Sequence, residues 1–574
     1  MVEQKALPVP PDGGWGWVIV IASHIINIIV DGVCFTFGLF LREFQEHFNA
    51  SFAKTALIGS LIPGLYLGIG PISSALANKF GVRLISIIGA LIASMGFFVC
   101  VYSNNINTMI FTYGVLGGVG FGLMYLPSIV IVNFYFDKKR ATASGIAVCG
   151  SGVGTFIFTF LTEPLVNKYS WKGAMWIISG IVLNACVCAS FFRPLEAPKP
   201  PKSRRNSKSS VIQESFIMRK ITEQKARDRT ISTGSTDGML ITKDNRIIKD
   251  NEFLSQRNGF EHRAVTTIKE EEENGLSRAS SQYTVYSNAA KDKVDPADAS
   301  RPMYRQDIFF TGSVKSIPEY KSQPNMQSYV ASVTSIPQRD VGKRSLCTPA
   351  IDTFKTMFDL SLFKSMTFNL VCASALLYMM GFFVPFTYSP AFAMEECGVS
   401  ESQSKIPLLV MGACNTVGRI IAGWLSDRPW ISSMILHNAA LLIAGITTMF
   451  LPFIKSFIFL NIYSALYGLC VATFIALRSI VLVDLLGVQR LTNAFGILLL
   501  FQGIATVIGT PIGGAIKDKT GSFWVVYMYA GATLLGASLI GIVANKISSW
   551  ERKKDEDNSD SLSREVPSLP SETA

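Results

Sequence analysis

Charge is what this sequence has least of. Only 16% of its 574 residues are Asp, Glu, Lys or Arg, against about 25% in a typical soluble domain, which excludes most of the soluble enzyme repertoire. Histidine is equally scarce: four in the whole chain do not supply the His, Asp or Glu cluster that a membrane-embedded transferase needs. No Gly-rich loop ends in Lys-Ser or Lys-Thr, so pumping driven by ATP is not expected. Ten cysteines lack the paired spacing of a zinc site or a secreted disulfide framework. Most of them (Cys34, Cys100, Cys149, Cys186, Cys188, Cys372, Cys414 and Cys470) fall inside apolar blocks and read as small buried hydrophobes, so neither a metal nor a cofactor is expected. The net charge of +11 suggests nucleic acid at first sight, but more than half of the 52 Lys and Arg lie between about residues 195 and 365. The basic balance belongs to one polar stretch, and no nucleic-acid partner is expected.

What the chain does have is apolar runs of about twenty residues, the length that crosses a bilayer. The first is too long for the apolar core of a cleavable leader and reads as a retained span. Hydropathy places spans near 16–40, 55–78, 83–102, 107–132, 141–163 and 173–192, and again near 367–391, 404–426, 431–452, 457–486, 492–516 and 522–544. The expected fold is therefore an all-α membrane protein of twelve transmembrane helices in two six-helix bundles, 16–193 and 366–545. A short segment, 1–15, precedes them, a disordered loop over 194–365 joins them, and a tail follows over 546–574. The loop is Ser-, Lys-, Arg- and Pro-rich, with runs such as Ser203 to Ser207 and the acidic cluster Glu270 to Glu273, and it has too few apolar residues to fold alone.

Positive charge in the short connections sets the orientation. Lys79, Arg83, Lys138, Lys139, Arg140, Arg428, Arg490 and the Arg552-Lys553-Lys554 run share one side, and Glu43, Glu46, Glu395, Glu396 and Glu401 the other. Both termini and the loop are thus expected in the cytosol, with Lys517 and Lys519 as exceptions. The halves also match at an offset near 350 residues, as Arg140, Ala143 and Gly145 match Arg490, Ala494 and Gly496. A duplicated unit with its site near the midplane follows.

Two motifs are distinctive. Pro11-Asp12-Gly13-Gly14-Trp15-Gly16-Trp17 leads into span 1, and Tyr135-Phe136-Asp137-Lys138-Lys139-Arg140 leads into span 5. Both resemble the signature motifs of the monocarboxylate transporter family, solute carrier family 16, within the major facilitator superfamily. Physically, Asp12 stands where a carboxylate can cap the N-terminus of the span 1 helix, Gly13 and Gly14 let the chain turn, and Trp15 and Trp17 suit the headgroup level.

Ionisable groups well inside a span cost at least about 2.5 kcal/mol and are functional candidates. Asp31 in span 1, Arg419 in span 8 and Arg478 in span 10 qualify, while Glu163 reads as interfacial. The resemblance implies an Asp and, four residues on, an Arg that binds the substrate carboxylate. Here Asn415 and Arg419 hold those places, and Phe35 stands where the family has a span 1 Lys. Both positions that carry proton coupling in the family are thus changed. Asp31, one turn before Phe35, faces the same expected cavity as Arg419, and a zwitterion of the creatine or carnitine kind would engage both. Among the aromatics, Phe35, Phe37, Tyr66, Tyr125 and Phe386 are candidate lining residues.

The Lys138-Lys139-Arg140 cluster is either a plain positive-inside determinant or, as the resemblance implies, part of a gate at the cytosolic face, where Asp427 would meet Arg140 and Arg490 would face Asn78, with Arg83 and Arg428 beside them. Small residues at four-residue spacing, Gly64 and Gly68, Gly150 and Gly154, Gly509 and Gly513, permit close helix approach. The function expected is a secondary transporter of monocarboxylates or related small carboxylates across the plasma membrane, by rocking of the halves. A carrier of zwitterionic carboxylates without proton coupling and a transport-dead sensor are the alternatives. The resemblance also implies a proton as co-substrate for some members and a single-span ancillary glycoprotein for some, besides the lipid bilayer that surrounds the protein.

Overall fold

The computed structural model describes residues 10–195, 239–241, 247–249, 301–335, 348–426, 428 and 431–565. The Ser203 to Ser207 run, the Glu270 to Glu273 cluster, residues 336–347 and Asp427 lie outside them. Among the described residues of 197–293, Met239–Ile241 and Ile247–Lys249 pair as two short antiparallel strands. Everything that follows concerns the other unit, residues 8–196 with 294–574.

Ten helical segments are long and apolar enough to cross a membrane, and an eleventh is the pair Phe52–Gly68 and Gly70–Phe80, bent by 50°. The 51-residue segment Arg140–Ser190 breaks at Ser170, where φ is +57° and ψ 173°. That single non-helical residue divides the segment into two helices, and counting them as two spans brings the total among the described residues to the expected twelve. In chain order the spans are Trp15–Phe35, the bent pair, Val82–Val99, Ile106–Tyr135, residues 140–169 and residues 171–190. The second half has the span Met366–Cys397, made of Met366–Phe382 and Val384–Cys397, then Ile406–Ser426, Ser433–Phe450, Phe457–Leu486, Leu491–Thr520 and Phe523–Glu565. The last helix runs on to Glu565, twenty residues past the point where a tail was expected to begin.

The two halves meet along span 2 against span 11 and span 5 against span 8. Glycine makes both approaches possible. A Cβ on Gly412 would lie 2.8 Å from the backbone nitrogen of Phe156 and 3.0 Å from the carbonyl oxygen of Gly152, and one on Gly503 would lie 2.7 Å from the nitrogen of Gly68. Gly150 and Gly154 admit the backbone of span 1 in the same way. The four-residue spacing read from the sequence is therefore a packing code, as lipid-facing helices with no solvent-driven burial require.

Asp12 and Glu551 mark one end of the bundle, the terminal face. At the opposite face the halves are joined directly. The Asp518 carboxylate, ending span 11, accepts the N–H groups of Phe52 (2.8 Å) and Ala53 (3.0 Å) at the start of span 2. Lys405 pairs with Glu163 across the halves, and a Cβ on Gly38 would meet the carbonyl oxygen of Thr387 at 2.7 Å. Lys517, an exception to the charge count, is paired with Glu395 at 2.6 Å.

The linker departs from expectation. Residues 301–335 are folded against the terminal face, with Ile308, Phe309, Phe310, Tyr329 and Val333 buried. The stretch Met303 to Phe310 contains three aromatics, Tyr304, Phe309 and Phe310, which give it apolar surface for the bundle to hold.

Candidate functional site

A cavity of about 530 Å³ lies between the halves, bounded by spans 1, 2, 4 and 5 on one side and 8, 10 and 11 on the other. Tyr66 and Tyr125 line its deep end, Thr142, Ser144 and Cys149 one flank, and Arg419 and Arg478 the other. Closure of the opposite face leaves it oriented toward the terminal face.

Arg419 is 7% exposed, and its environment is unusual for a buried cation. Its Nε donates to Asn415 Oδ1 at 2.9 Å, one turn back on the same helix face. Its Nη1 and the Asn415 amide nitrogen are buried with no hydrogen-bond partner. Among the described residues Arg419 forms no ion pair. A guanidinium whose fork is held at one nitrogen and open at another is arranged to receive a planar anion such as a carboxylate. Asn415 fixes the orientation without neutralising the charge, which an Asp there would do.

Arg478 reaches the same cavity from span 10. Its Nη1 donates to Gln502 Oε1 at 2.7 Å, its guanidinium stacks over Phe495, and Gln502 in turn bonds Tyr378. Asp31 is buried one layer behind the wall. The Tyr66 hydroxyl donates to its Oδ1 at 3.3 Å, and the carboxylate lies in the field of Arg419 and, more weakly, Arg478.

Phe35 is not at the cavity. Its ring packs on Phe386 (4.5 Å between centroids), Phe383 (5.5 Å) and Phe382 (6.0 Å), an aromatic seal between spans 1 and 7 beyond the deep end. Phe37 packs on Phe44 and Tyr113 instead. Of the five aromatics proposed from sequence, Tyr66 and Tyr125 line the cavity and the other three do not.

Asp427 lies outside the described residues, and among those described the other gate residues find the partners that follow. Arg140 is fully buried and donates to the Phe136 carbonyl (3.0 Å), Asp137 Oδ1 (2.7 Å) and Asp307 Oδ2 (2.8 Å). Arg305 joins the same two carboxylates, at 2.8 Å to Asp137 and 2.9 Å to Asp307, and the Tyr329 hydroxyl donates to Asp307. Burial alone would raise the Asp307 pKa, but the guanidiniums of Arg140 and Arg305 overcome it and hold the carboxyl well below the ordinary carboxylate range. Asn78 donates to Thr353 Oγ1 at 2.7 Å and accepts from the Met303 N–H, and does not meet Arg490. Arg490 and Arg83 are exposed, and Arg428 stacks over Trp424 at 4.3 Å. Arg140 is thus engaged by two acids, Asp137 of its own motif and Asp307 of the linker.

The first motif also works across the chain. Asp12 does not cap span 1; its Oδ1 accepts the backbone N–H groups of Asp137 (2.8 Å), Lys138 (2.9 Å) and Lys139 (3.3 Å), capping the turn before span 5. Asp12 and Gly14 take positive φ, +49° and +55°, which turns the chain back toward that site. Trp15 Nε1 donates to the Phe191 carbonyl, and its ring lies under Arg193; Trp17 packs edge-on against Phe136. The two motifs are one structural unit.

Sequence reasoning missed Asp307, Arg305, Phe309, Thr311 and Lys405. The first four sit in a linker whose average composition masks a local aromatic run, and Lys405 precedes span 8, where a lone basic residue at a helix start carries no distinguishing pattern.

The family model of the Major Facilitator Superfamily matches residues 23–456 and 370–567. Among similar proteins, monocarboxylate transporter 12-B of Danio rerio is 26% identical over 540 residues, covering 94% of this chain and 88% of the relative. Monocarboxylate transporter 9 of Gallus gallus is 25% identical, over 93% of this chain and 94% of its own. Monocarboxylate transporter 14 of Homo sapiens is 28% identical, over 90% and 88%. All three are named as transporters.

Proposed function

The chain belongs to the major facilitator superfamily and is a multi-pass membrane transporter rather than an enzyme, and on that premise we propose that its cargo is a small carboxylate held by Arg419. The observation that carries this reading is the buried Nη1 of Arg419, unpartnered at the wall of a cavity between the halves. A carboxylate accepting from that nitrogen satisfies the donor and pairs with a cation that forms no ion pair among the described residues. Arg419 is the binding group, Asn415 its orienting residue, and Tyr66 and Tyr125 the apolar end of the pocket.

Transport is read as alternating access, with the two halves rocking about this midplane cavity. The terminal face is the cytosolic one, in a plasma-membrane protein with both termini inside. Uptake through this site is not coupled to protons, because Asn415 cannot titrate and Phe35 replaces the span 1 Lys of the resembled family. The names of the relatives, monocarboxylate transporters 12-B, 9 and 14, support the carboxylate half of the reading.

A second reading is favoured by Asp31. A cationic carboxylate of the creatine or carnitine kind would place its acid on Arg419 and its positive group toward Asp31, with Tyr66 turning aside. Uptake of labelled lactate, pyruvate, creatine and carnitine into vesicles at pH 6 and 7.5, with wild type and Arg419→Ala, separates the two. Loss of uptake in Arg419→Ala is expected for either cargo; retained uptake would sink both.

A further inference from the structure

Residues 305–312 of the linker occupy the mouth of the cavity and grip both halves at once. On the first half, Arg140 donates to the Asp307 carboxylate and to its carbonyl (3.0 Å), and Asn133 donates to the Ile308 carbonyl at 2.6 Å. On the second half, Thr492 donates to the Gln306 carbonyl at 2.9 Å, the Thr311 and Ser479 hydroxyls meet at 2.8 Å, and the Phe309 ring stacks on Phe495 at 4.8 Å. Ser479 lies seven residues before the end of its helix, about 10 Å inside the terminal face at the helical rise. Phe309, Thr311 and Gly312 are therefore wall residues of the same cavity that holds Arg419 and Arg478.

We infer that residues 305–312 are a plug in the transport path: docked, they close the cavity at the terminal face, and cargo passes there only when they withdraw. The inference rests on reading the cavity as the path of a carried solute. A segment bonded to both halves cannot keep both sets of bonds when the halves separate at this face, so docking and opening exclude each other. Docking thereby selects the closed state, as any ligand with affinity for one of two conformations does. The plug differs from an ordinary tether in being specified by charge. Asp307 has been brought out of water against Arg140 and Arg305, so the segment docks in one register. Val314 and Ile317, also buried, hold the chain just after it on the face.

Cys149 lines the cavity and reports access to it without any cargo being known. The full-length protein, keeping Cys149 as its single cysteine, is labelled with a sulfonated, membrane-impermeant maleimide applied from the terminal face. Asp307→Asn and Phe309→Ala are expected to raise the labelling rate several-fold. An unchanged rate in both variants overturns the plug. The converse test is a disulfide between Thr311→Cys and Ser479→Cys in a background lacking the other cysteines. Lactate and creatine uptake should fall on oxidation and return with reductant, and uptake that persists in the cross-linked protein also overturns the plug. If the labelling responds as expected while no carboxylate is carried, the cargo reading fails and the plug stands.

Discussion

Arg140 and Asp307, 167 residues apart, meet at 2.8 Å with no exposed surface on either side chain. One belongs to a signature motif of the first half and the other to a linker that composition marks as solvated, so the pair ties the linker to the transport unit. Breaking a buried pair from one side strands the remaining charge, at a cost of about 3 to 5 kcal/mol. Arg140→Ala is expected to lower the melting temperature of the detergent-solubilised protein well beyond the change from Arg490→Ala, whose side chain is exposed. Equal shifts would show that the network is not what holds the linker. Arg140→Lys should not restore stability, because a single ammonium cannot reach the Phe136 carbonyl, Asp137 and Asp307 together.

The same pair sets a pH dependence. The Asp307 carboxyl is depressed when docked, so its stabilising contribution is complete above its unfolded value, near 3.9, and is lost only as pH falls through the lower docked value. Thermal stability should therefore be flat between pH 5 and pH 8, and so should the ratio of Cys149 labelling rates in Asp307→Asn and the parent, which cancels the pH dependence of the thiolate itself. A ratio that changes between pH 7 and pH 6 would mean that some other group governs docking.

Asn415 offers a gain-of-function test. Asn415→Asp places a carboxylate against the Arg419 Nε, where it competes with the cargo for the guanidinium. Protonation of that acid as pH falls removes the competitor, so initial uptake rates in Asn415→Asp should rise from pH 7.5 to pH 5.5 while wild-type rates stay level. Parallel pH profiles in the two proteins would refute the idea that an acid at position 415 competes with the cargo for Arg419.

Asp12 accepts three backbone N–H groups at the turn before span 5. Removing a capping side chain costs about 1 kcal/mol. Asp12→Ala should accordingly reduce stability modestly, and Asp12→Asn should recover most of it, measured by melting temperature in detergent. A collapse of folding in Asp12→Ala would assign the residue a larger role than capping.

Much of this architecture is legible from residue order alone, because a bilayer admits few solutions. Twelve apolar runs, the charge count along their connections and the glycine pairs Gly150 and Gly154 each map onto a feature of the bundle. Arg419 and Asn415 stand together as their i, i+4 spacing requires. What escaped is of a different kind. Asp12 caps a turn 125 residues away, Phe35 seals rather than lines, and Arg140 pairs with Asp307, and no periodicity within a helix records which distant group will satisfy a side chain. The linker escaped for a second reason: composition averaged over 170 residues hid the eight that matter.

Asp518 gives the opposite face a further property. Its carboxylate supplies acceptors for the first two N–H groups of span 2, across the boundary between the halves. When that boundary parts, those donors and the carboxylate are left to water, so opening there is a wetting event, counted in solvent molecules taken up. Excluded osmolytes oppose such uptake. Sucrose added to both sides of a vesicle should thus hold the opposite face shut and slow exchange across the membrane, turning water activity itself into a handle on which way the carrier faces.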